Sequence, residues 1–173
     1  MKLSYLYRGL PGHPLHPPLT DATIGTYTVA TALAVADVTG ISNNAAAAGW
    51  WLALLFGLGL TVPTALAGLA DWLTITWRSP LWWTGTLHLL SMVSATVFFG
   101  LAAIFGHAGW KTGDVTTGPF ILTAVGFGLL TLGGWLGGSI VYVYGMRVLS
   151  LPEEPLERAI APVPHPEKEQ AEA

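Results

Sequence analysis

Residues capable of chemistry recur near one end of the long apolar stretches of this chain. His16 follows a proline-rich segment, Asp21 lies shortly after it, and Asp71 closes the second stretch. His88 is embedded between leucines, and Tyr142 lies near the end of the last stretch. Two imidazoles from different helices at one depth can hold haem b axially or, with a carboxylate, a transition metal. We therefore predict a cofactor site with His16 and His88 as ligands and Asp21, Asp71 and Tyr142 around them.

Each of these side chains also has a purely structural explanation. Asp21 could offset the positive end of a helix dipole in a first turn, and Asp71 could pair with Arg78. His16 could bond a neighbouring helix end, and His88 could be a buried imidazole satisfied by one partner. A chain of histidines and aspartates could instead relay protons, since ionisable groups inside a bilayer are costly and usually mark a site or an internal pair.

The other histidines and Asp37 are expected to be solvated or interfacial. His13 precedes the first stretch, His107 lies beside glycines in a polar loop, and His165 belongs to the C-terminal tail. Asp37 lies near the far end of the first stretch. None of these four residues is included in the predicted cofactor site.

The elements that must position the site are transmembrane helices. A helix that crosses about 30 Å of hydrocarbon needs about 20 mostly apolar residues, and four stretches qualify, near 20–39, 48–71, 83–106 and 118–146. The connections between them are short, which forces neighbouring helices to be antiparallel. We therefore predict an all-α membrane protein, a four-helix antiparallel transmembrane bundle over residues 20–148.

The segments that flank the bundle are predicted to be polar and rich in proline. Residues 1–19 carry four prolines and no long apolar run, so a cleaved signal peptide is not expected. Residues 149–173 hold six of the ten acids. We expect them to form a disordered or weakly helical acidic tail.

Positive charges and tryptophans indicate how the bundle sits in the membrane. Lys2, Arg8, Arg78 and Arg147 fall on one side of the predicted bundle and Lys111 on the other. Because cytoplasmic loops carry the excess of Lys and Arg, we predict a bacterial inner-membrane protein with both termini in the cytoplasm. Tryptophans prefer the membrane interfaces, and here they form an outer set, Trp50, Trp51 and Trp110, and an inner set, Trp72, Trp77, Trp82 and Trp83.

Composition excludes several functional classes. Of the 173 residues, 52% are hydrophobic and 10% are charged, against about 25% charged in a soluble domain. The absence of cysteine excludes disulfides, thiolate metal sites, thiol catalysis and an iron–sulfur domain in this chain. Because the sequence also lacks a phosphate-binding glycine loop, a nucleophile elbow and a basic nucleic-acid patch, we expect an accessory protein more than an enzyme.

Glycines in the fourth stretch indicate close helix packing. Gly133 and Gly137, like Gly134 and Gly138, repeat the four-residue spacing of small residues that lets membrane helices approach each other. The pattern predicts packing inside the bundle, with homo-oligomerisation as the alternative.

Several strings of the sequence together resemble one known family. They are Gly12-His13-Pro14-Leu15-His16-Pro17-Pro18-Leu19-Thr20-Asp21, Ile24-Gly25, Pro63-Thr64-Ala65, Gly68-Leu69-Ala70-Asp71-Trp72, His88, and Gly133-Gly134-Trp135-Leu136-Gly137-Gly138 with Val141-Tyr142 and Gly145. In this order, over about residues 9–148, they resemble the bacterial membrane family known as domain of unknown function 2231. The resemblance implies a four-span membrane domain. Because similar members are often joined to Rieske-type iron–sulfur domains, it also implies redox work.

The chain departs from the family pattern at two positions. Ser139 stands where the glycine-rich motif often carries a histidine, and Met92 stands where an asparagine commonly follows the histidine of the third stretch. A site that needs that last histidine would be incomplete in this chain.

The function we expect is that of a haem- or metal-binding accessory of membrane redox chemistry. Its cofactor would be haem b or a transition metal, and its partner in the bilayer a separate redox or respiratory protein. One alternative is a non-catalytic structural or assembly subunit of a larger membrane complex. A second is proton or ion transport, which is disfavoured because the outer half of the bundle supplies only Asp37 and threonines.

Overall fold

The computed structural model describes residues 3, 5–42, 45–149, 152–153 and 155–161. Its four long helices are α2 (His16–Val38), α3 (Ala45–Trp72), α4 (Pro80–Phe105) and α6 (Thr117–Tyr142). The short elements are α1 (Tyr5–Arg8), β1 (Gly9–Leu10), β2 (His13–Pro14), α5 (Gly109–Thr112) and α7 (Leu156–Ala159), and β1 and β2 pair antiparallel. His165 and most of the predicted acidic tail lie outside the described residues.

Helix α2 begins at His16, four residues before the start near residue 20 that hydropathy predicts. Pro17 and Pro18 occupy its first turn, where backbone N–H groups have no intrahelical partner and the fixed φ of proline suits the helix. Asp21 therefore lies beyond the first turn. The prediction that Asp21 offsets the helix dipole there is wrong.

Local capping sets two other helix ends. Helix α4 begins after Ser79, whose Oγ accepts a hydrogen bond from the backbone N–H of Trp82 at 3.1 Å. After α6, Gly145 adopts a left-handed φ of 65°, and the N–H of Met146 donates to the carbonyl of Ile140 at 3.1 Å. This glycine cap ends the helix at Tyr142, four residues before the predicted end.

The helices are those of a membrane protein. Helices α3, α4 and α6 are long and apolar enough to cross a bilayer by length and composition. Helix α2 has 23 residues, about 34 Å at about 1.5 Å per residue, but its composition is more polar. Five of its threonines donate to carbonyls four residues earlier at 2.7–2.9 Å, which satisfies hydroxyls that would be costly in lipid. The chain is thus an all-α membrane protein.

The long helices form two pairs, because α2 packs mainly along α3 and α4 packs mainly along α6. The rings of Tyr27 and Phe99 stack between the pairs with centroids 4.0 Å apart. Trp50 is fully buried beside them, and its Nε1 donates to Thr123 at 3.1 Å. The prediction that Trp50 lies at the membrane interface is therefore wrong, since a partner on α6 satisfies its indole N–H in the core.

Two contacts define the far end of the molecule, where α2 and α4 end. The Asp37 carboxylate accepts a hydrogen bond from the backbone N–H of Val115 at 2.7 Å and so joins the segment before α6 to the end of α2. Trp51 stacks on Trp110 with centroids 5.2 Å apart and meets the exposed ring of His107 at 5.3 Å. Asp37 therefore has a structural role that its sequence position does not indicate.

Candidate functional site

His16 is held by the helix that pairs with its own. Its Nδ1 lies 3.0 Å from the carbonyl oxygen of Thr64 in α3. A carbonyl oxygen can only accept, so this bond places the proton on Nδ1 and leaves Nε2 as an acceptor. Gly68 lies against the ring, and a Cβ there would come within 2.6 Å of the imidazole Cε1.

His88 is held in the same way in the second pair of helices. Its Nδ1 lies 2.8 Å from the carbonyl oxygen of Gly133 in α6. A Cβ at Gly137 would lie 3.2 Å from the imidazole Cε1. The Nε2 of His88 makes no hydrogen bond to any residue that the structure describes, so it too is left as an acceptor.

One motif therefore occurs twice, once in each pair of helices. A histidine on the first helix bonds a backbone carbonyl on the second, and the residue four positions after that carbonyl is glycine. Helical side chains cover the turn that precedes them, so a bulky side chain at Gly68 or Gly137 would cover the carbonyl that the imidazole reaches. The sequence signal is a glycine four residues after the accepting position, and the analysis of motifs alone missed it.

The structure brings the two imidazoles together. Their ring centroids are 6.4 Å apart and their planes are nearly perpendicular, at 87°. Both rings line a cavity of about 390 Å³ to which all four long helices contribute. Its lining is mostly apolar and includes Ile24, Leu69, Leu89, Met92, Gly134 and Val141.

Asp71 and Arg147 line one part of this cavity, and Arg8 pairs with Asp71 outside the lining. Asp71 is buried, and its Oδ1 accepts from the Nε of Arg8 at 3.0 Å and lies 3.5 Å from the Nε of Arg147. The Arg147 guanidinium also donates to the backbone carbonyl of Arg8. The prediction that Asp71 pairs with Arg78 is wrong, because the β1–β2 hairpin returns Arg8 to the end of α3.

Arg8 and Arg147 are site residues that the sequence did not indicate. Both counted there only as positive charges near span ends. Their approach to Asp71 depends on the turn of the β1–β2 hairpin and on the cap after α6, and neither is visible in hydropathy.

The remaining predicted site residues lie at the edge of the cavity. Asp21 and Tyr142 both contribute to its lining, but both are exposed, and Tyr142 makes no hydrogen bond to a described residue. Ser139 donates to the carbonyl of Trp135 at 3.2 Å, and His13 is exposed in β2. Ser139 and His13 are not part of the cavity lining.

The donor set around the cavity is sparse. Over the described parts of the chain, no group of three or more His, Cys, Asp or Glu side chains is placed to hold a metal ion. Met92, one turn after His88, lies against Gly133. The Nε2 atoms of the two imidazoles are therefore the nitrogen ligands that the cavity offers to a metal.

The comparisons with known proteins give the family of the chain. No curated protein and no solved structure matches it. Residues 12–150 match the family model described as a predicted membrane protein of domain of unknown function 2231. This range includes both histidines, both glycines against their rings, Asp71 and Arg147. The chain belongs to the membrane protein family of domain of unknown function 2231.

Proposed function

We propose that this protein binds haem b between His16 and His88 and serves one-electron transfer in the membrane. The observation that carries the proposal is the pair of imidazoles, each fixed by an Nδ1 bond to a backbone carbonyl, 6.4 Å apart in an apolar cavity. Histidines that bind metals usually donate their other ring N–H in this way, which fixes the tautomer and orients the ring.

The separation of the rings is compatible with one group held by both histidines. A metal–imidazole bond is about 2.0 Å, and the two ring centroids are 6.4 Å apart. The hydroxyl of Thr20 lies 3.4 Å from the Nε2 of His16 and would have to give way to that group.

The donor set and the cavity favour haem over a bare ion. A structural zinc site takes four protein ligands, whereas haem brings four equatorial nitrogens and needs two axial ligands from the protein. A single ion also needs little space, while the cavity of about 390 Å³ extends well beyond the two rings. Its apolar lining suits a large, flat and mostly apolar group.

Each part of the chain has a task in this proposal. The carbonyls of Thr64 and Gly133 accept from Nδ1 and so fix the tautomer and the orientation of both imidazoles. Gly68 and Gly137 leave room for the rings, and the apolar helix faces keep water away. Haem, when bound, supplies a one-electron redox couple whose potential the axial ligands and the surrounding polarity tune.

The placement in the membrane follows from length and charge. We propose that α2 is the fourth span, since it is about 34 Å long and its threonine hydroxyls are satisfied within the helix. Because Arg8, Arg78 and Arg147 lie at the end where α2 begins, this end would face the cytoplasm of a bacterial inner membrane. The electron partner would be a separate redox protein. Gly133 and Gly137 pack inside the molecule, against Met92 and His88. Homo-oligomerisation stays a prediction.

An absorption spectrum tests the proposal. The protein is purified in mild detergent from cells supplied with haem precursors, and we expect a Soret band, one haem per chain and a six-coordinate spectrum when reduced. His16→Ala and His88→Ala should each remove that spectrum, while His13→Ala and His107→Ala, in which an exposed histidine is replaced, should keep it. A wild-type protein without a Soret band would refute it.

A structural role is the competing function, and one observation supports it. Each imidazole is already bonded to a backbone carbonyl across a helix pair, so it could stabilise the packing alone. In that case His88→Ala would lower the thermal stability of a colourless protein. Ion transport has weaker support, since Tyr27, Trp50 and Phe99 fill the core of the far half.

A further inference from the structure

We propose that Arg147 binds a carboxylate group of the ligand seated between the histidines. This inference rests on the proposed function, because haem b carries two propionate groups on one edge of its ring. It assigns that edge to the end of the cavity where α6 ends.

The first support is the charge at this end of the cavity. Two guanidinium groups share a single carboxylate oxygen, Oδ1 of Asp71. The three groups together carry one excess positive charge. Asp21, the other carboxylate that lines the cavity, is exposed to solvent and is not an ion-pair partner of either arginine.

The second support is an unsatisfied donor. The Nε of Arg147 is buried and has no hydrogen-bond partner among the described residues, although it lies 3.5 Å from the Asp71 oxygen. A buried donor without a partner is costly. A carboxylate in the cavity would satisfy it, since the guanidinium fork matches a carboxylate with two parallel N–H bonds.

The third support is the backbone of Arg147 itself. Its φ of 64° lies in the left-handed region, which a residue with a Cβ rarely adopts. Such residues persist where the surroundings hold them, and they cluster at binding sites. This conformation accompanies the contact of the guanidinium with the carbonyl of Arg8 and its place in the cavity lining.

A comparison of the affinities for haem b and for its dimethyl ester distinguishes a carboxylate-binding role of Arg147 from a structural one. The ester keeps the iron and the ring but has no carboxylates. Apoprotein is titrated with each compound, for the wild type and for Arg147→Gln. Charged hydrogen bonds of about 1.5–3 kcal/mol correspond to about a 10- to 150-fold change in affinity, so we expect Arg147→Gln to weaken haem b by at least tenfold and leave the ester unchanged.

Arg78→Gln is the matched control. Arg78 also has a left-handed φ, of 61°, but it is exposed and lies outside the cavity lining, so the substitution makes the same change at the same backbone conformation without touching the site. It should leave both affinities unchanged. If Arg147→Gln does not fold, Arg147→Lys keeps the charge but loses the fork, and it should weaken haem b alone by a smaller factor.

The outcomes separate the two proposals. A wild type that binds neither compound through two imidazoles overturns the proposed function and this inference together. A wild type that binds haem b normally while Arg147→Gln leaves its affinity unchanged, or weakens both compounds equally, overturns this inference alone. When Arg147→Gln gives either of these last two results, the spectrum of haem bound by two histidines remains, so the proposed function stands.

Discussion

The contact between Gly68 and His16 leads to a sharp prediction for Gly68→Ala. The added Cβ would lie 2.6 Å from the imidazole Cε1, so the ring must move by about 0.8 Å to restore an ordinary contact of 3.4 Å. That movement exceeds the tolerance of about 0.2 Å for a metal–ligand distance. It is also enough to break the bond of 3.0 Å to the Thr64 carbonyl.

The free energies of this substitution oppose each other. A buried imidazole N–H left without a partner costs about 1–3 kcal/mol, whereas alanine in a helix gains up to about 1 kcal/mol over glycine. We therefore expect Gly68→Ala to lower the free energy of unfolding by about 0–2 kcal/mol. It should also abolish ligation by His16, which would leave a bound haem with one histidine ligand.

Two other glycines serve as controls for Gly68→Ala. Gly59, also on α3, has no atom within 4 Å of the added Cβ, and Gly137 requires a shift of about 0.2 Å. Gly59→Ala should therefore be slightly more stable than the wild type, and Gly137→Ala should stay close to it. The assays are thermal unfolding in detergent and the haem absorption spectrum. A Gly68→Ala protein that matches Gly59→Ala in both would refute our account of how His16 is held.

Two further predictions concern the far half of the molecule. Tyr27→Phe removes the hydrogen bond of 2.9 Å to Thr61 but keeps the stacked ring, so it should cost less than about 1 kcal/mol in thermal unfolding, whereas Tyr27→Ala empties a fully buried site and should cost about 3–5 kcal/mol. Equal losses would contradict the packing of Tyr27. Asp37→Ala leaves the N–H of Val115 without its acceptor and should lower stability by about 1–3 kcal/mol while making the loop before α6 more sensitive to protease. Asp114→Ala, at an exposed residue of the same loop, should change neither, and equal sensitivity of the two variants would refute the role of Asp37.

Hydropathy was a good guide to where the long helices lie. Helices α2, α3 and α4 begin three or four residues earlier than predicted, and α6 begins within one residue of its predicted start. The largest shift, in α2, has a simple cause. Pro17 and Pro18 are compatible with a first helical turn, so α2 begins before the apolar run that hydropathy detects. The burial of Trp50 could not be predicted, because its partner Thr123 lies on a helix distant in sequence.

The two histidines could be chosen from the sequence because an imidazole inside an apolar stretch is costly and needs a reason. Their anchors could not, since the position of the accepting carbonyl depends on the register between two helices, and a glycine four residues after it does not mark it alone. The same holds for Arg8, which reaches Asp71 through the β1–β2 hairpin.

The repeated histidine–carbonyl–glycine motif has a consequence for the origin of the fold. A single helical hairpin of this kind carries one anchored imidazole, so two identical copies about a two-fold axis would assemble the complete pair, as isologous dimers do. After duplication and fusion of such a hairpin gene, the two halves could differ in sequence. Asp71, seven residues after Thr64, has Ile140 as its counterpart after Gly133. The half formed by α2 and α3 would thus have acquired a charged edge, while the half formed by α4 and α6 kept an apolar one. The two sides of a formerly symmetric site would then differ in charge.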